Sequence, residues 1–168
     1  MFTDYDLPIK LPAKYYPAIG ELLYRWALLE FQMQVIIWRT LNIDNKKGRT
    51  LTVGMSARAL MAILRTMSLR WAGNKTDIQM LNSIAKHAGK LINVRNSVAH
   101  GTWMYPSGGR KTAIRLHFMK ETPEHRLLPR TKKYTPDKIK TDVGKLARIN
   151  ERAEALITMI EARQPPST

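Results

Sequence analysis

Apolar residues recur at intervals of three and four along four separate stretches of the chain, and that period suits one kind of element, a helix with one face buried. The first stretch runs from Pro17, a helix-opening residue, through Ile19, Leu22, Leu23, Trp26, Leu29, Met33, Ile36 and Ile37 to Leu41. The second spans 56 to 72, with Ser56 as its cap and Leu60, Ile63, Leu64, Met67 and Trp71 inward. A third follows the Gly73-Asn74 turn. Thr76 with Gln79 three places on has capping-box spacing, and Ile78, Leu81, Ile84, Ala88, Leu91 and Val98 make its stripe. The fourth opens on Thr135, Pro136 and Asp137 and continues through Ile139, Val143, Leu146, Ile149, Ala153, Leu156 and Ile160. The expected fold is mainly all-α, a four-helix-type bundle.

Between the helices the period changes. Residues 1–16, with Pro8 and Pro12, read as an extended arm, because proline disfavours helix before it. Residues 42–55 read as a polar, basic loop, with a short extended piece at Leu51-Thr52-Val53. The segments 102–105 and 112–120 flank Pro106-Ser107-Gly108-Gly109 and predict a β-hairpin over 102–120, between the third and fourth helices. Residues 121–134 read as a basic loop that orders on binding, and 164–168 as a frayed tail. At 168 residues the chain is most simply one domain. Leu28, Phe31 and Val35 widen the apolar surface of the first helix, which suggests burial on two sides, one of them against a second protomer. Gly89 in the third helix fits a close helix crossing, and Met61 and Met67 read as gap-filling core.

The third helix ends in polar groups where apolar ones are due: Arg95-Asn96-Ser97-Val98-Ala99-His100-Gly101. Asn96 and His100, four apart, lie on one face, whereas Arg95 and His100 differ by about 140° around an ideal helix, an angle that arginine's length can make up. Gly101 stands where a left-handed residue would stop the helix and leave His100 at its mouth. Arginine and histidine in a last turn followed by glycine are also ordinary helix-stop chemistry, so spacing alone does not assign a function. Glu30 falls on the inward row of the first helix. It either pairs with Arg95 or orients His100, or it forms a rim salt bridge with Arg25 or Arg39. His87, between Lys86 and Lys90, reads as a surface residue.

The net charge of +15 points to a polyanionic partner, and residues 110 to 148 hold 12 basic against 4 acidic groups. Arg110, Lys111, Arg115, His117, Arg126, Arg130, Lys132 and Lys133, directly after the motif, are the candidate nucleic-acid contacts. A solvated polar face is the competing reading of the hairpin side that carries Arg115 and His117. There is no cysteine, no P-loop, no H-E-x-x-H and no paired-carboxylate metal cluster, so disulfide, Walker-type and zinc chemistry have no support, and no metal or cofactor is expected. No basic-then-apolar signal segment opens the chain and no apolar run reaches the length of a membrane span, which makes the cytoplasm the expected compartment and a membrane an unexpected partner.

Arg95, Asn96, three spacers, His100 and Gly101 at the end of a long helix in an all-helical setting resemble the HEPN superfamily (higher eukaryotes and prokaryotes nucleotide-binding domains), and the helical layout from about 17 to 162 is similar too. The resemblance implies a homodimer whose two motifs face a shared cleft, and a metal-independent endoribonuclease. His100 would act as general base or acid for attack of a ribose 2′-OH on its adjacent phosphate, Arg95 would stabilise the phosphorane, and Asn96 would orient His100 or the substrate. A toxin or phage-defence effector, with an acidic antitoxin as partner, falls within the same resemblance. The alternative is a catalytically silent HEPN-like module that binds RNA or a regulatory partner. A helical DNA-binding protein is a third reading, with no clear recognition helix to carry it.

Overall fold

The computed structural model describes residues 5–6, 11–70, 74–106, 114–118 and 129–163. In chain order these form β1 (Tyr5–Asp6), a 3-10 turn (Ala13–Tyr15), α1 (Tyr16–Thr40), α2 (Asn45–Thr52), α3 (Ala57–Arg70), α4 (Lys75–His100), β2 (Thr102–Pro106), β3 (Ile114–Phe118), β4 (Pro129–Lys133) and α5 (Pro136–Glu161). The fold class is mainly all-α and bundle-like, with a small sheet between the third and fourth long helices, α4 and α5. The chain groups into two compact units, one from Met1–Leu23 and Asn93–Val143 and the other from Tyr24–Ile92 and Gly144–Thr168. Among the described residues no helix is long and apolar enough to cross a membrane.

The second unit holds the helical core. Trp26, Leu29, Met33 and Ile36 of α1, Leu60 and Leu64 of α3, Leu81, Ile84, Ala85 and Ala88 of α4, and Leu146, Ala153 and Leu156 of α5 are all buried. These are the three-and-four stripes of the sequence, and burying each large apolar side chain is worth roughly 1.5–3 kcal/mol. Gln32 and Asn150 cross this core as a polar clasp. Asn150 Nδ2 donates to Gln32 Oε1 at 2.9 Å and to Arg25 O at 3.2 Å, and Gln32 Nε2 donates to Asn150 O at 3.2 Å. Asp77, fully buried near the start of α4, takes a two-pronged bond from Arg163 just past α5, which ties the two helix ends together. Gly89 lies against α3 as expected: a Cβ there would sit 3.2 Å from Arg65 Nη2. Tyr24 and Phe31 of α1 are exposed, while Leu28 and Val35 are half-buried, so the second apolar face is only partly covered among the described residues.

Residues 42–55 are not the expected loop with an extended end. Asn42 takes a left-handed conformation (φ 52°), and Ile43 N–H reaches back to Trp38 O while Asn42 N–H reaches Arg39 O, which closes α1. Asp44 then caps α2 by accepting from Lys47 N–H at 2.9 Å. The short helix is fixed from below by Trp38. Trp38 Nε1 donates to Thr52 Oγ1 at 3.2 Å, and Gly48 lies so close that an added Cβ would meet the indole at 2.4 Å.

The first unit carries the sheet, in the order β1-β2-β3-β4 with every pair antiparallel. The expected hairpin over 102–120 is therefore the centre of a larger sheet. The N-terminal arm supplies β1 as an extended piece, although Ala13–Tyr15 is helical rather than extended. The C-terminal end of the expected basic loop is β4, because Pro129–Lys133 finds a full set of partners on β3. Residues 121–128 lie outside the described residues. Trp103 sits edge-on between Tyr15 and Tyr134, each ring centroid 6.0 Å away, and Tyr15 Oη donates to Tyr134 O at 3.2 Å.

Three helix starts bear on the sequence signals. Ser56 Oγ and Thr135 Oγ1 cap α3 and α5, as read. The cap of α4 is Asn74, whose Oδ1 accepts from Asp77 N–H at 2.9 Å, and not Thr76 with Gln79. Asn74 is the better-placed acceptor, and the helix begins one residue after it.

Candidate functional site

The motif occupies the last turn and a half of α4, in the first unit. Val94, Ser97 and Val98 are buried and hold that turn, so Arg95 and Asn96, and then Ala99 and His100, are turned outward in steps. Arg95 and Asn96 are half-buried, and Ala99 and His100 are exposed. Arg95 Nη1 donates to Asn96 Oδ1 at 3.0 Å and lies 3.3 Å from His100 Nε2. Arginine has donors and no acceptor, so in this contact His100 Nε2 is on the accepting side. Arg95 Nε is buried and has no hydrogen-bond partner among the described residues. A buried donor in that state costs about 1–3 kcal/mol until an acceptor arrives.

Gly101 does not end the helix in a left-handed conformation. Among the described residues the glycine with positive φ is Gly54, and the chain instead leaves His100 directly into β2 at Thr102. The sheet, not an αL stop, therefore fixes how the helix mouth is presented. Asn96 serves Arg95 and does not bond to His100. Glu30 lies half-buried on α1 in the second unit, and the motif's hydrogen bonds are among its own members.

Of the expected nucleic-acid contacts, Arg115 and His117 stand on β3, and Arg130, Lys132 and Lys133 on β4. Arg110, Lys111 and Arg126 lie outside the described residues. Register brings the strand residues together: Arg115 is opposite Lys132, and His117 opposite Arg130. Lys132 and Lys133 are exposed, and Lys132 Nζ lies 5.5 Å from the centroid of the Tyr134 ring.

Sequence reasoning missed Lys138. In the first turn of α5, its Nζ lies 5.8 Å from the same ring, so two cations from different elements flank one buried tyrosine. Tyr134 itself is fully buried, and among the described residues its hydroxyl has no hydrogen-bond partner; the sequence places it only at the end of the loop over 121–134. The available signal was the Tyr-Thr-Pro run, in which an aromatic precedes a helix cap.

His87 is half-buried, with Nδ1 2.7 Å from Ser83 O, a separation that makes this nitrogen the donor, while Arg152 Nη1 donates to Ser83 Oγ at 2.8 Å. It belongs to the second unit and not to the motif. Among the described residues no group of three or more His, Cys, Asp or Glu side chains is placed to hold a metal ion. No protein-family model matches the chain, and no curated protein or solved structure is significantly similar to it.

Proposed function

We propose that the protein is an endoribonuclease that uses a ribose 2′-OH as nucleophile, with His100, Arg95 and Asn96 as its site. The observation that carries this reading is the single guanidinium nitrogen of Arg95, shared between Asn96 Oδ1 and His100 Nε2 at an exposed helix end. A neutral imidazole with its Nε2 lone pair available is the correct form for a general base. The substrate must first displace the Arg95 bond to it, and at 3.3 Å that bond is the longer and weaker of the two.

In this mechanism His100 Nε2 removes the 2′-OH proton as the 2′-oxygen bonds to phosphorus. Arg95, always charged and planar, stabilises the negative charge that builds on the phosphorane oxygens, and its buried Nε gains an acceptor. Asn96 holds the guanidinium in place. The bond from phosphorus to the 5′-oxygen breaks, and that oxygen takes a proton from water or from a second His100 in a homodimer. The products are a 2′,3′-cyclic phosphate and a 5′-hydroxyl. The likeness of these residues to the HEPN motif favours the same reading, as does the net charge of +15. A toxin or defence role with an acidic protein inhibitor is compatible with that charge, and the silent RNA-binding module remains the second reading.

The test is cleavage, with EDTA present, of an end-labelled single-stranded RNA and of the same RNA carrying one 2′-deoxynucleotide at the cleaved position. The expected result is a cyclic-phosphate end on the first and no cut at that bond on the second. Cleavage at the deoxynucleotide, or 3′-hydroxyl ends, contradicts the mechanism. No cleavage together with salt-sensitive RNA binding favours the silent module.

A further inference from the structure

The sheet of the first unit places two permanent cations directly opposite one another and, in the neighbouring row, a histidine opposite an arginine. Arg115 on β3 faces Lys132 on β4 in register, and two places along the strands His117 faces Arg130. Because side chains alternate along a strand, all four positions belong to one side of the sheet, the side that also holds Trp103 opposite Arg115. Directly opposed positions have Cβ atoms about 5 Å apart, and like charges there are destabilising. The acidic residue of the sheet, Asp6 on β1, is opposite Tyr105 and separated from β3 by β2, and β2, β3 and β4 themselves contain none. The register therefore puts no counter-charge directly opposite these positions, and an anion laid across them would supply one.

The register also gives the ladder a direction. Trp103 pairs with Arg115 and Thr102 with Leu116, so the next position along β3, His117 with its partner Arg130, lies at the end of β2 that joins Gly101 and His100. Successive rows are about 6.6–6.8 Å apart, the rise of two strand residues. That is of the order of the spacing between successive phosphates in an extended nucleic-acid strand. Lys138, beside Tyr134 with Lys132, adds a further cation at the start of α5 in the same unit.

We propose that the β3–β4 ladder of Arg115, Lys132, His117 and Arg130 is a binding site for consecutive phosphates of single-stranded RNA and leads the strand to His100. The proposal takes its ligand class from the ribonuclease reading and adds to it the element that holds the backbone. A single strand fits better than a duplex for a physical reason. In-line attack by a 2′-OH needs a backbone free to rotate, which A-form pairing restricts, and two short rows match one phosphate chain.

The experiment measures binding of fluorescein-labelled single-stranded RNA to the His100→Ala protein as a function of salt, so that cleavage does not intervene. It compares this with Arg115→Thr/Lys132→Thr in the same background, and with Arg130→Thr as a separate variant. Loss of two phosphate contacts is expected to lower the slope of log affinity against log salt by about 1.4, and loss of one by about 0.7. Without RNA, the double variant is expected to melt no lower than its parent, because the opposed charges are gone. Lys46→Thr/Lys47→Thr on α2 is the control, with an unchanged slope.

A slope unchanged in the ladder variants, duplex RNA bound as tightly as the single strand, or no RNA binding by the parent would each overturn the proposal. The two readings fail separately: an intact ladder effect without cleavage in the wild-type protein removes the ribonuclease and keeps the ladder, and His100-dependent cleavage with an unchanged slope does the reverse.

Discussion

Arg95 Nη1 lies 3.3 Å from His100 Nε2, although the two residues are five apart on one helix and so about 140° from facing each other. The guanidinium crosses that angle because it is long, and it stays there because Asn96 Oδ1 accepts from the same nitrogen. An arginine only donates, so in this contact the imidazole nitrogen is on the accepting side.

Arg95→Lys is expected to remove most activity even though the charge is kept. An ammonium is a compact point donor, and its three N–H groups, splayed tetrahedrally, cannot serve Asn96 and also offer a phosphate the two parallel donors of a planar fork. The expected loss in single-turnover cleavage rate is roughly 100-fold or more, the scale of losing one transition-state donor. RNA binding at fixed salt should change far less. A lysine variant within threefold of wild type would show that the fork is not used.

Gly48→Ala is expected to destabilise the protein, because the new Cβ would overlap the Trp38 ring at 2.4 Å. Overpacking of this kind costs about 1–3 kcal/mol, enough to outweigh alanine's helix preference. Gly144→Ala in α5 has nothing within 4 Å of the added carbon and is expected to stabilise by about 0.5–1 kcal/mol. Urea unfolding of the two variants should give shifts of opposite sign.

The Asp44 carboxyl is held below its ordinary value of 3.8, chiefly by the Lys47 backbone N–H that it caps. A depressed pKa in the folded state means that the charged cap adds stability above the unfolded value and loses it as pH falls through the folded one. The effect is therefore fully present at neutral pH, begins to fall near the unfolded value of about 3.9, and is lost as pH drops through the lower folded value. Asp44→Asn keeps a capping oxygen without the titration. The gap in melting temperature between wild type and variant is expected at pH 6 and should narrow steadily as pH falls below 3.8. A gap that is constant across that range would remove the carboxylate from the account.

The long helices were legible because burial follows period: Leu22, Trp26, Leu29, Met33 and Ile36 are the stripe read from α1, and all are buried. The α2 helix was not, since its stretch contains Asn45 and Gly48, weak helix formers, and its support comes from Trp38 in the preceding helix. Its cap at Asp44 is local, but a cap without a stripe does not announce a helix. Strand β4, with a proline and three cations in Pro129–Lys133, reads as a loop until β3 supplies its partners.

At the site, the reach of Arg95 to His100 followed from side-chain length and helical angle alone. The direction in which the helix mouth opens did not, because it depends on β2 following without a left-handed glycine. The opposed cations were visible as separate basic residues, and only the strand register shows that they face one another. Similarly, nothing local marks Asp77 and Arg163 as partners across 86 residues.

The most direct test of the central claim is the rate of single-stranded RNA cleavage by wild-type and His100→Ala proteins, measured side by side in EDTA. Because His100 is exposed, the variant should fold normally and melt close to wild type. The account predicts cleavage by the wild type and a loss of roughly 100- to 10,000-fold in the variant, the range expected for removing a general acid or base. Cleavage by His100→Ala at the wild-type rate would contradict it.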